Sequence, residues 1–386
     1  MVSIAFTGGG TGGHIYPGLA VASRITGLIP CRIFWIGSDS GMDRAVIGKA
    51  GLDFFGIPSG KLRRYFSFRN FLDIFRICAG FFAARKILKK EKPALLFSKG
   101  GFVSVPPCAA AKSLGIPVYS HESDYSPGLA TRINAAFAEK IFIPYEESAG
   151  FYSGRAAGKI RVSGNPIRPE FSEADPAKGR AFLGIGDDDR ILLALGGSLG
   201  STEINDLVMA SLPELTKHYT VVHQTGERMM DSETLALVEK RCGAGRYKPY
   251  AFFGGEIPHI IAAAELVLCR SGAGTIWECK SLKKPMVLVP LRAAGTSRGD
   301  QVENARLFEK AGAALCFMPG EGGASMPREA LAGLVASLAE DRGKREAMGN
   351  AGIGMSGEKM ASGAAVYIAE EIAGRIGRGN EQHSGH

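Results

Sequence analysis

One unit recurs in both halves of this 386-residue chain: a short apolar run, a glycine-rich turn and a helical pattern. It appears first as IAFTGGGTGG and later as ILLALGGSLGS. A longer pair, LLFSKGGFVSVPPCAAAKSLGIPVYSHES and LVLCRSGAGTIWECKSLKKPMVLVPLRAA, adds a second strand after the helix. Alternating buried strands and helices are typical of doubly wound α/β domains. The repeat therefore predicts two Rossmann-like domains with parallel sheets.

Nine apolar runs predict the buried strands of these sheets, at residues 4–6, 31–36, 94–97, 118–120, 140–143, 191–195, 220–223, 266–269 and 286–289. The predicted domains are residues 1–164 and 173–376, with a linker at 165–172 in the proline-containing stretch GNPIRPEF. The last helix could also pack back on the first domain. Residues 377–386 are expected to form a disordered tail.

Composition narrows the class of protein. The formal net charge of +8 suggests an anionic partner, which could be nucleic acid, an acidic lipid surface or a phosphorylated substrate. Seven dispersed cysteines argue against a disulfide framework or a zinc site and indicate a reducing cytoplasm. The sequence has neither a signal-peptide pattern nor an apolar run of the roughly 20 residues that span a membrane. We therefore expect a soluble protein or one held at a membrane surface.

The first glycine loop, at residues 8–13, matches GxGxxG and follows a strand, so dinucleotide binding is one alternative. The second strand ends in Gly37 and Ser38 where a ribose-binding acid would be needed, which disfavours that alternative. In either case, backbone N–H groups at a helix N-terminus attract anions. His14 would lie at the positive end of the helix, which favours the neutral imidazole of a general base. A purely structural role in the loop is the other interpretation.

Two segments of the second half suggest a nucleotide-sugar site. The stretch CRSGAGTIWE predicts a helix whose first N–H groups face a phosphate, with Glu278 one turn further on and able to bind a ribose diol. In GTSRGDQVENA, Asp300 and Asn304 share a helix face, and such side chains suit sugar hydroxyls. An ordinary capped helix and a solvated Glu278 would give similar patterns.

The ordered motifs GGGTGGHIYPGLA, SKGGFVSVP, HESDYSPGLAT, GNPIR, GGSLGS, RSGAGTIWE and DQVENA resemble the MurG family over residues 3 to 370. This family comprises the peptidoglycan glycosyltransferases that make lipid II from lipid I. The resemblance implies the GT-B fold, with two Rossmann-like domains facing a cleft. It implies inverting transfer of N-acetylglucosamine from UDP-N-acetylglucosamine (UDP-GlcNAc) to the C4 hydroxyl of the N-acetylmuramyl unit. It implies no cofactor, because UDP-GlcNAc is a substrate. It implies no metal, because helix N-termini and Arg168 would meet the charge of the leaving group.

The resemblance also assigns residues. It makes His14 and Glu122 catalytic candidates. It gives an acceptor-binding set of Gly9, Gly10, Thr11, Gly100, Gly101, Phe102 and Asp124. It gives a donor-binding set of Thr11, Gly12, Gly13, Asp124, Arg168, Ser198, Asn205, Phe253, Ile257, Ser271, Gly272, Ala273, Gly274, Glu278, Gln301 and Asn304.

Three positions depart from the family pattern and keep other acceptors open. Phe102 stands where many members carry Tyr, Asp124 replaces an Asn, and Leu199 replaces a polar residue. A related transferase acting on diacylglycerol and a non-enzymatic sugar-nucleotide-binding protein are the alternatives. Both would share the donor motifs, but the acceptor-side motifs favour the muramyl lipid.

Residues 61–92 carry ten Lys or Arg, two acids and seven aromatic side chains. A basic, aromatic, helix-prone segment fits an anionic membrane surface, although an ordinary amphipathic helix is the simpler alternative. We expect a peripheral protein on the cytoplasmic face of the cell membrane that binds lipid I and no nucleic acid. Cell-wall synthesis and division proteins are further expected partners.

Overall fold

The structure, a computed structural model, describes residues 1–39, 41–60, 68–197, 200–226, 232–291, 299–318, 328–351 and 363–383. The chain divides into two units, one of Met1–Arg168 with Ser356–His386 and one of Pro169–Met355. The division falls within the predicted linker. The predicted second domain of residues 173–376 is longer than the second unit, because the last helix belongs to the first unit.

The first unit is built on parallel strands alternating with helices. Its strands are β1 (Val2–Thr7), β2 (Cys31–Ser38), β3 (Asp53–Ile57), β4 (Leu95–Ser98), β5 (Val118–His121), β6 (Lys140–Ile143) and β7 (Ile160–Val162). Its helices are α1 (Tyr16–Leu28), α2 (Asp43–Lys49), α3 (Phe68–Glu91), α4 (Val105–Ser113), α5 (Leu129–Phe137) and the C-terminal α14 (Ala364–His383). In the described residues these strands form one sheet, ordered β3-β2-β1-β4-β5-β6-β7.

Aromatic packing fixes the centre of this sheet. The ring of Phe6 on β1 stacks on Trp35 of β2 at 5.6 Å and meets Phe97 of β4 at 5.2 Å. The core continues to α14, where Ile368 and Ile372 are fully buried. Helix α14 reaches His383, so the expected disordered tail is wrong for residues 377–383. The buried apolar face of α14 ends at Ile376, and the helix continues from there to His383.

The second unit repeats the design. Its strands are β8 (Ile191–Leu195), β9 (Thr220–Gln224), β10 (Tyr247–Tyr250), β11 (Leu266–Cys269), β12 (Met286–Leu288) and β13 (Ala314–Cys316). Its helices are α6 (Pro176–Leu183), α7 (Thr202–His218), α8 (Ser232–Cys242), α9 (Ile257–Ala263), α10 (Ala273–Ser281), α11 (Asp300–Lys310), α12 (Arg328–Glu340) and α13 (Arg342–Ala351). The described strands pair in parallel, ordered β10-β9-β8-β11-β12-β13.

The prediction of two Rossmann-like domains with parallel sheets is therefore confirmed. All nine predicted strands are present. In such sheets ligands bind beyond the carboxyl ends of the strands, where the strand order reverses. In the first unit that point lies between β1 and β4, and in the second between β8 and β11.

Candidate active site

Two glycine loops of the first unit meet where β1 and β4 end. The loop after β1 leads into a short 3₁₀ helix, Gly12–His14, and then into α1. The loop after β4 contains Gly100 and Gly101, both with positive φ angles of 85° and 77°. Such backbone angles favour glycine. Lys99, directly after β4, donates its backbone N–H to the carbonyl of Thr7 and so holds the two loops side by side.

The imidazole of His14 lies against the second loop. A Cβ placed on Gly101 would come within 2.9 Å of His14 Cδ2 and of the Gly9 carbonyl oxygen. A Cβ on Gly10 would come within 2.8 Å of the Phe102 ring. The structure thus brings together five of the predicted site residues, and the close approach explains why this loop pair is built from glycine.

Asp43 is a site residue that the sequence analysis missed. Its carboxylate is fully buried and accepts hydrogen bonds from the backbone N–H of Gly10 at 2.9 Å and of Ser38 at 3.0 Å. The carboxylate lies so close to Gly9 that a Cβ there would be 1.9 Å from Oδ2. Asp43 therefore fixes the shape of the first glycine loop from behind. The sequence signal for Asp43 was weak, because a single acidic residue in a polar turn matches no motif.

Glu122 has a definite position beyond β5. Its buried carboxylate accepts hydrogen bonds from the N–H groups of Ser123 at 2.8 Å, Asp124 at 3.2 Å and Gly128 at 3.0 Å. Gly128 is the N-cap of α5, so this carboxylate both closes the turn that carries Asp124 and caps a helix. These bonds give Glu122 a positioning role, and its catalytic role stays a prediction.

Four further predicted residues of the first unit are exposed or half-buried. Thr11 and Gly13 are exposed on the glycine loop, and Gly12 is half-buried. The Arg168 guanidinium stacks over the ring of Tyr16, the first residue of α1, at 5.3 Å. That contact places the cation at the same end of the sheet as the loop, where an anion could meet it.

Lys99 is the second missed residue, and it is almost completely buried, with 1% of its surface exposed. Its ammonium donates to the Ser123 hydroxyl at 2.7 Å. Burial lowers the pKa of Lys99 to about 8, and the Glu122 and Asp124 carboxylates partly offset that effect. A buried cation is therefore part of the site, on the residue with which the second glycine loop begins.

In the second unit, the glycine turn after β8 leads into α7. Gly197 and Gly200 have positive φ angles, and a Cβ on Gly196 would be 2.6 Å from the Ser201 nitrogen, so the turn needs glycine. Ser198, predicted to bind the donor, lies outside the described residues, as does Leu199. Gln224 at the end of β9 donates to the Gly197 carbonyl at 2.9 Å and supports the turn.

Asn205 is held by the protein on both sides of its amide. Nδ2 donates to the Thr225 carbonyl at 2.8 Å, and Oδ1 lies 3.1 Å from His223 Nε2. His223 contacts the Tyr247 hydroxyl through its other ring nitrogen, at 3.1 Å. Burial lowers the pKa of His223 to about 4, so the ring is neutral at physiological pH. The predicted donor contact of Asn205 stays a prediction.

The start of α10 and the start of α11 are tied together. Ser271 donates its hydroxyl to the Gln301 carbonyl at 2.6 Å, and Asn304 Nδ2 donates to the Ser271 carbonyl at 3.1 Å. The Gln301 side chain accepts from the Leu291 N–H at 3.0 Å. Gly272 is the N-cap of α10, and Ala273 and Gly274 open the helix. This arrangement leaves a helix N-terminus that suits a phosphate.

Three other predicted residues frame this region. Glu278 lies on α10 beyond its first turn and is half-buried. Phe253 is 3% exposed and packs on the Tyr250 ring at 4.9 Å, and Ile257 opens α9. The buried ring of Phe253 supports the loop before α9. Gly255, two residues after Phe253 in that loop, is exposed. Backbone groups of that loop are thus available to a base.

Two family models match the chain. The glycosyltransferase family 28 N-terminal domain matches residues 4–143, and the family 28 C-terminal domain matches residues 191–351. Together they define the class of protein as a two-domain glycosyltransferase of GT-B fold.

Curated relatives narrow that class. A protein of Treponema denticola is 49% identical over 81% of this chain and 83% of its own length, and one of Clostridium perfringens is 41% identical over 80% and 83%. Both are named UDP-N-acetylglucosamine–N-acetylmuramyl-(pentapeptide) pyrophosphoryl-undecaprenol N-acetylglucosamine transferase. The chain belongs to the family that these enzymes form, the MurG family.

Solved structures agree on the fold. The crystal structure of Acinetobacter baumannii MurG aligns with a TM-score of 0.72 and 22% identity, over 97% of this chain and 99% of that one. The UDP-GlcNAc 2-epimerase of Neisseria meningitidis, bound to UDP-GlcNAc, aligns with a TM-score of 0.67 and 15% identity, over 97% and 100%. The fold predicted from the sequence is the fold of these proteins.

Proposed function

We propose that this protein transfers N-acetylglucosamine from UDP-GlcNAc to the muramyl C4 hydroxyl of lipid I, forming lipid II with inversion at the anomeric carbon. Membership of the MurG family supports this function. The observation that carries it is the pair of glycine loops packed around His14 at the carboxyl ends of β1 and β4. N–H groups of such loops bind anions, and a histidine beside them can act on a neighbouring hydroxyl.

The acceptor would bind with its diphosphate on the loops of Gly9, Gly10, Gly100 and Gly101. His14 would then accept the proton of the attacking hydroxyl or hold that hydroxyl in place. The donor would bind in the second unit, with its phosphates at the N-terminus of α10 and its ribose on Glu278. Developing charge on the UDP phosphates would be met by the N–H groups that open α10, without a need for a metal or cofactor.

The test is a transfer assay with purified protein, UDP-GlcNAc and a short-chain lipid I analogue, read by mass spectrometry. We expect disaccharide product from the parent and a loss of at least about a hundredfold in rate for His14→Ala, as is common for a general base. His218→Ala, at the end of α7 in the other unit, is the control and should retain full activity. Equal activity of both variants would refute the role of His14.

An inactive parent protein would be informative in a different way. If it binds UDP-GlcNAc but gives no product with the lipid I analogue, the donor assignment stands and the acceptor assignment fails. Diacylglycerol would then be tested as the acceptor. Addition of EDTA to an active parent should leave the rate unchanged, and a loss that Mg²⁺ restores would contradict the metal-free proposal.

We also propose that α3 docks on the cytoplasmic face of the anionic cell membrane, which would bring the site to its lipid substrate. Ile74, Phe75 and Phe82 are exposed by 51%, 59% and 68%, and Cys78 is exposed between them. Residues 74, 78 and 82 follow at four-residue spacing and share a face. Exposed Arg76, Arg85, Lys86, Lys89 and Lys90 accompany this apolar ridge.

Part of the predicted basic segment, residues 61–67, lies outside the described residues. None of the helices in the described part of the chain combines the length and apolar character of a membrane span. A docked ridge of apolar side chains among cations matches interfacial binding, in which apolar burial and charge attraction add. Cell-wall synthesis and division proteins stay proposed partners.

Docking can be measured with an environment-sensitive dye on Cys78, the one exposed cysteine of seven. Vesicles containing anionic lipid should shift its emission to the blue at low salt, and neutral vesicles should not. The double variant Phe75→Ser with Phe82→Ser should abolish vesicle binding. Phe182→Ser, which alters an exposed Phe of the second unit, is the control. If the double variant still sediments with anionic vesicles as the parent does, docking through α3 is refuted.

A further inference from the structure

We propose that Lys99 is a positioning residue for the acceptor: its buried ammonium ties the start of the second glycine loop to the turn after β5 and to the segment before Arg168, and places a positive charge in the interior beside that turn. The inference rests on the proposed function, because it concerns the diphosphate that those loops would bind. None of the family motifs assigned a role to this side chain.

The tie is a chain of two short hydrogen bonds. Lys99 Nζ donates to Ser123 Oγ at 2.7 Å, and that hydroxyl donates its own proton to Asn165 Oδ1 at 2.8 Å. Lys99, Ser123 and Asn165 are all buried. Asn165 lies three residues before Arg168. A single side chain therefore connects the second glycine loop with the two other segments that carry predicted site residues, Asp124 and Arg168.

A second tie runs beside the first. His121 at the end of β5 is buried, and its Nε2 lies 3.0 Å from the carbonyl of Gly164, directly before Asn165. Burial and the neighbouring Lys99 charge hold the pKa of His121 well below its usual range, so this ring stays neutral. The Lys99 ammonium is thus the charged member of the pair of ties.

The position of the charge points to an anion. The Lys99 stem lies against the first loop, since a Cβ on Gly8 would be 3.1 Å from Lys99 Cβ. Its ammonium contacts a hydroxyl, while the Glu122 carboxylate is occupied by backbone N–H groups. Burying a charge costs free energy unless something offsets it. A diphosphate on the loops would provide that offset, by attraction through a poorly screened interior.

This electrostatic link makes binding depend on protons. The pKa of about 8 means that part of the Lys99 population is neutral slightly above that pH when the site is empty. A bound diphosphate favours the ammonium, so the protein should take up protons as the acceptor binds. The other titratable groups facing Lys99 are Glu122, Asp124 and His121, with His14 on the adjoining loop.

The test is isothermal titration of the full chain with the short-chain lipid I analogue at pH 8.5, in two buffers that differ in ionisation enthalpy. We expect proton uptake by the parent, and its loss in Lys99→Met and in Lys99→Arg. The Met variant should raise the acceptor KM about tenfold, the usual size for one charge contact, and leave the donor KM unchanged. Arginine stays charged, so that variant should bind without uptake.

Controls separate the outcomes. Lys112→Met, on the exposed face of α4, should behave as the parent does. Ser123→Ala keeps the charge and breaks the tie, so it should keep proton uptake and raise the acceptor KM. His14→Gln should keep uptake. Uptake that persists in both Lys99 variants would overturn the inference, as would equal changes in donor and acceptor KM. A parent that transfers no sugar would instead refute the proposed function.

Discussion

The contact between Gly9 and Asp43 allows a quantitative prediction about the first glycine loop. Gly9 does not have a positive φ angle, so its backbone conformation permits alanine. Space does not, since a Cβ would lie 1.9 Å from Asp43 Oδ2 and 2.7 Å from Cγ. Gly9→Ala must therefore displace the carboxylate from the N–H groups of Gly10 and Ser38. Hydrogen bonds to a charged group contribute about 1.5–3 kcal/mol each, so the expected loss is roughly 3–6 kcal/mol.

A double-mutant cycle isolates this mechanism. Asp43→Ala removes the same two bonds and also vacates the volume that the new methyl group needs. In that background Gly9→Ala should cost less than about 1 kcal/mol, which gives a coupling energy of at least about 2 kcal/mol. Independent effects would add, with a coupling energy near zero.

The assay is urea unfolding of the full chain followed by fluorescence of Trp35, whose indole N–H donates to the Gly8 carbonyl at 2.9 Å. Trp277→Phe is introduced into all four proteins of the cycle, so that the signal comes from the first unit alone. If Gly9→Ala costs the same with and without Asp43, the carboxylate does not shape the loop and the argument fails.

Three further predictions concern buried groups. Gly179→Ala would place a Cβ 2.2 Å from the His259 carbonyl oxygen, and should destabilise the second unit by about 3 kcal/mol in urea unfolding. Gly333→Ala on α12 is the control: it has open space around it and should be neutral or stabilising. The pKa of His223 is lowered from 6.5 to about 4, so the unfolded chain binds the proton first as the pH falls. The free energy of unfolding of the second unit should therefore drop by up to about 3 kcal/mol between pH 6.5 and pH 4, and His223→Gln should flatten that slope. Lys99→Met should raise the thermal unfolding midpoint above that of the parent, most strongly below pH 8. The difference should shrink between pH 8 and 10.5, where the unfolded parent binds more protons than the folded parent and folding therefore gains stability. A lower midpoint for the variant at pH 7 would contradict the cost assigned to burying the ammonium.

The sequence predicted the centres of both sheets and missed their edges. The nine predicted strands have continuous apolar runs, because parallel strands inside a sheet are covered on both faces. Four strands have no such run, β3, β7, β10 and β13, and they are the outermost strands of the described sheets. Their residues are mostly partly exposed, so they lack the continuous apolar run by which the central strands were found. Their position at the edges of the sheets explains why these four strands were not predicted.

The site divides in a similar way. The glycines of the site can be recognised in the sequence, because a loop that must approach another backbone or a ligand closely can use few other residue types. The contact between Gly101 and His14 shows that constraint directly. Asp43 and Lys99 gave no such signal, since a single charged residue is far more often a solvated surface group. Their importance follows from burial, which only the folded chain determines. Sequence motifs therefore locate the loops of this site but omit the charges that hold them.

The contacts among the predicted donor residues indicate what those motifs select for. Ser271, Gln301 and Asn304 bond to one another's backbones or to neighbouring backbone, and Asn205 is fixed by Thr225 and His223. Polar side chains held in this way keep their geometry before any ligand arrives, which lowers the entropy lost on binding. Several residues assigned to ligand contact would then act by orienting backbone N–H groups at α10. Replacing Asn304 should accordingly weaken donor binding through a displaced Ser271, even if its own amide never touches the sugar.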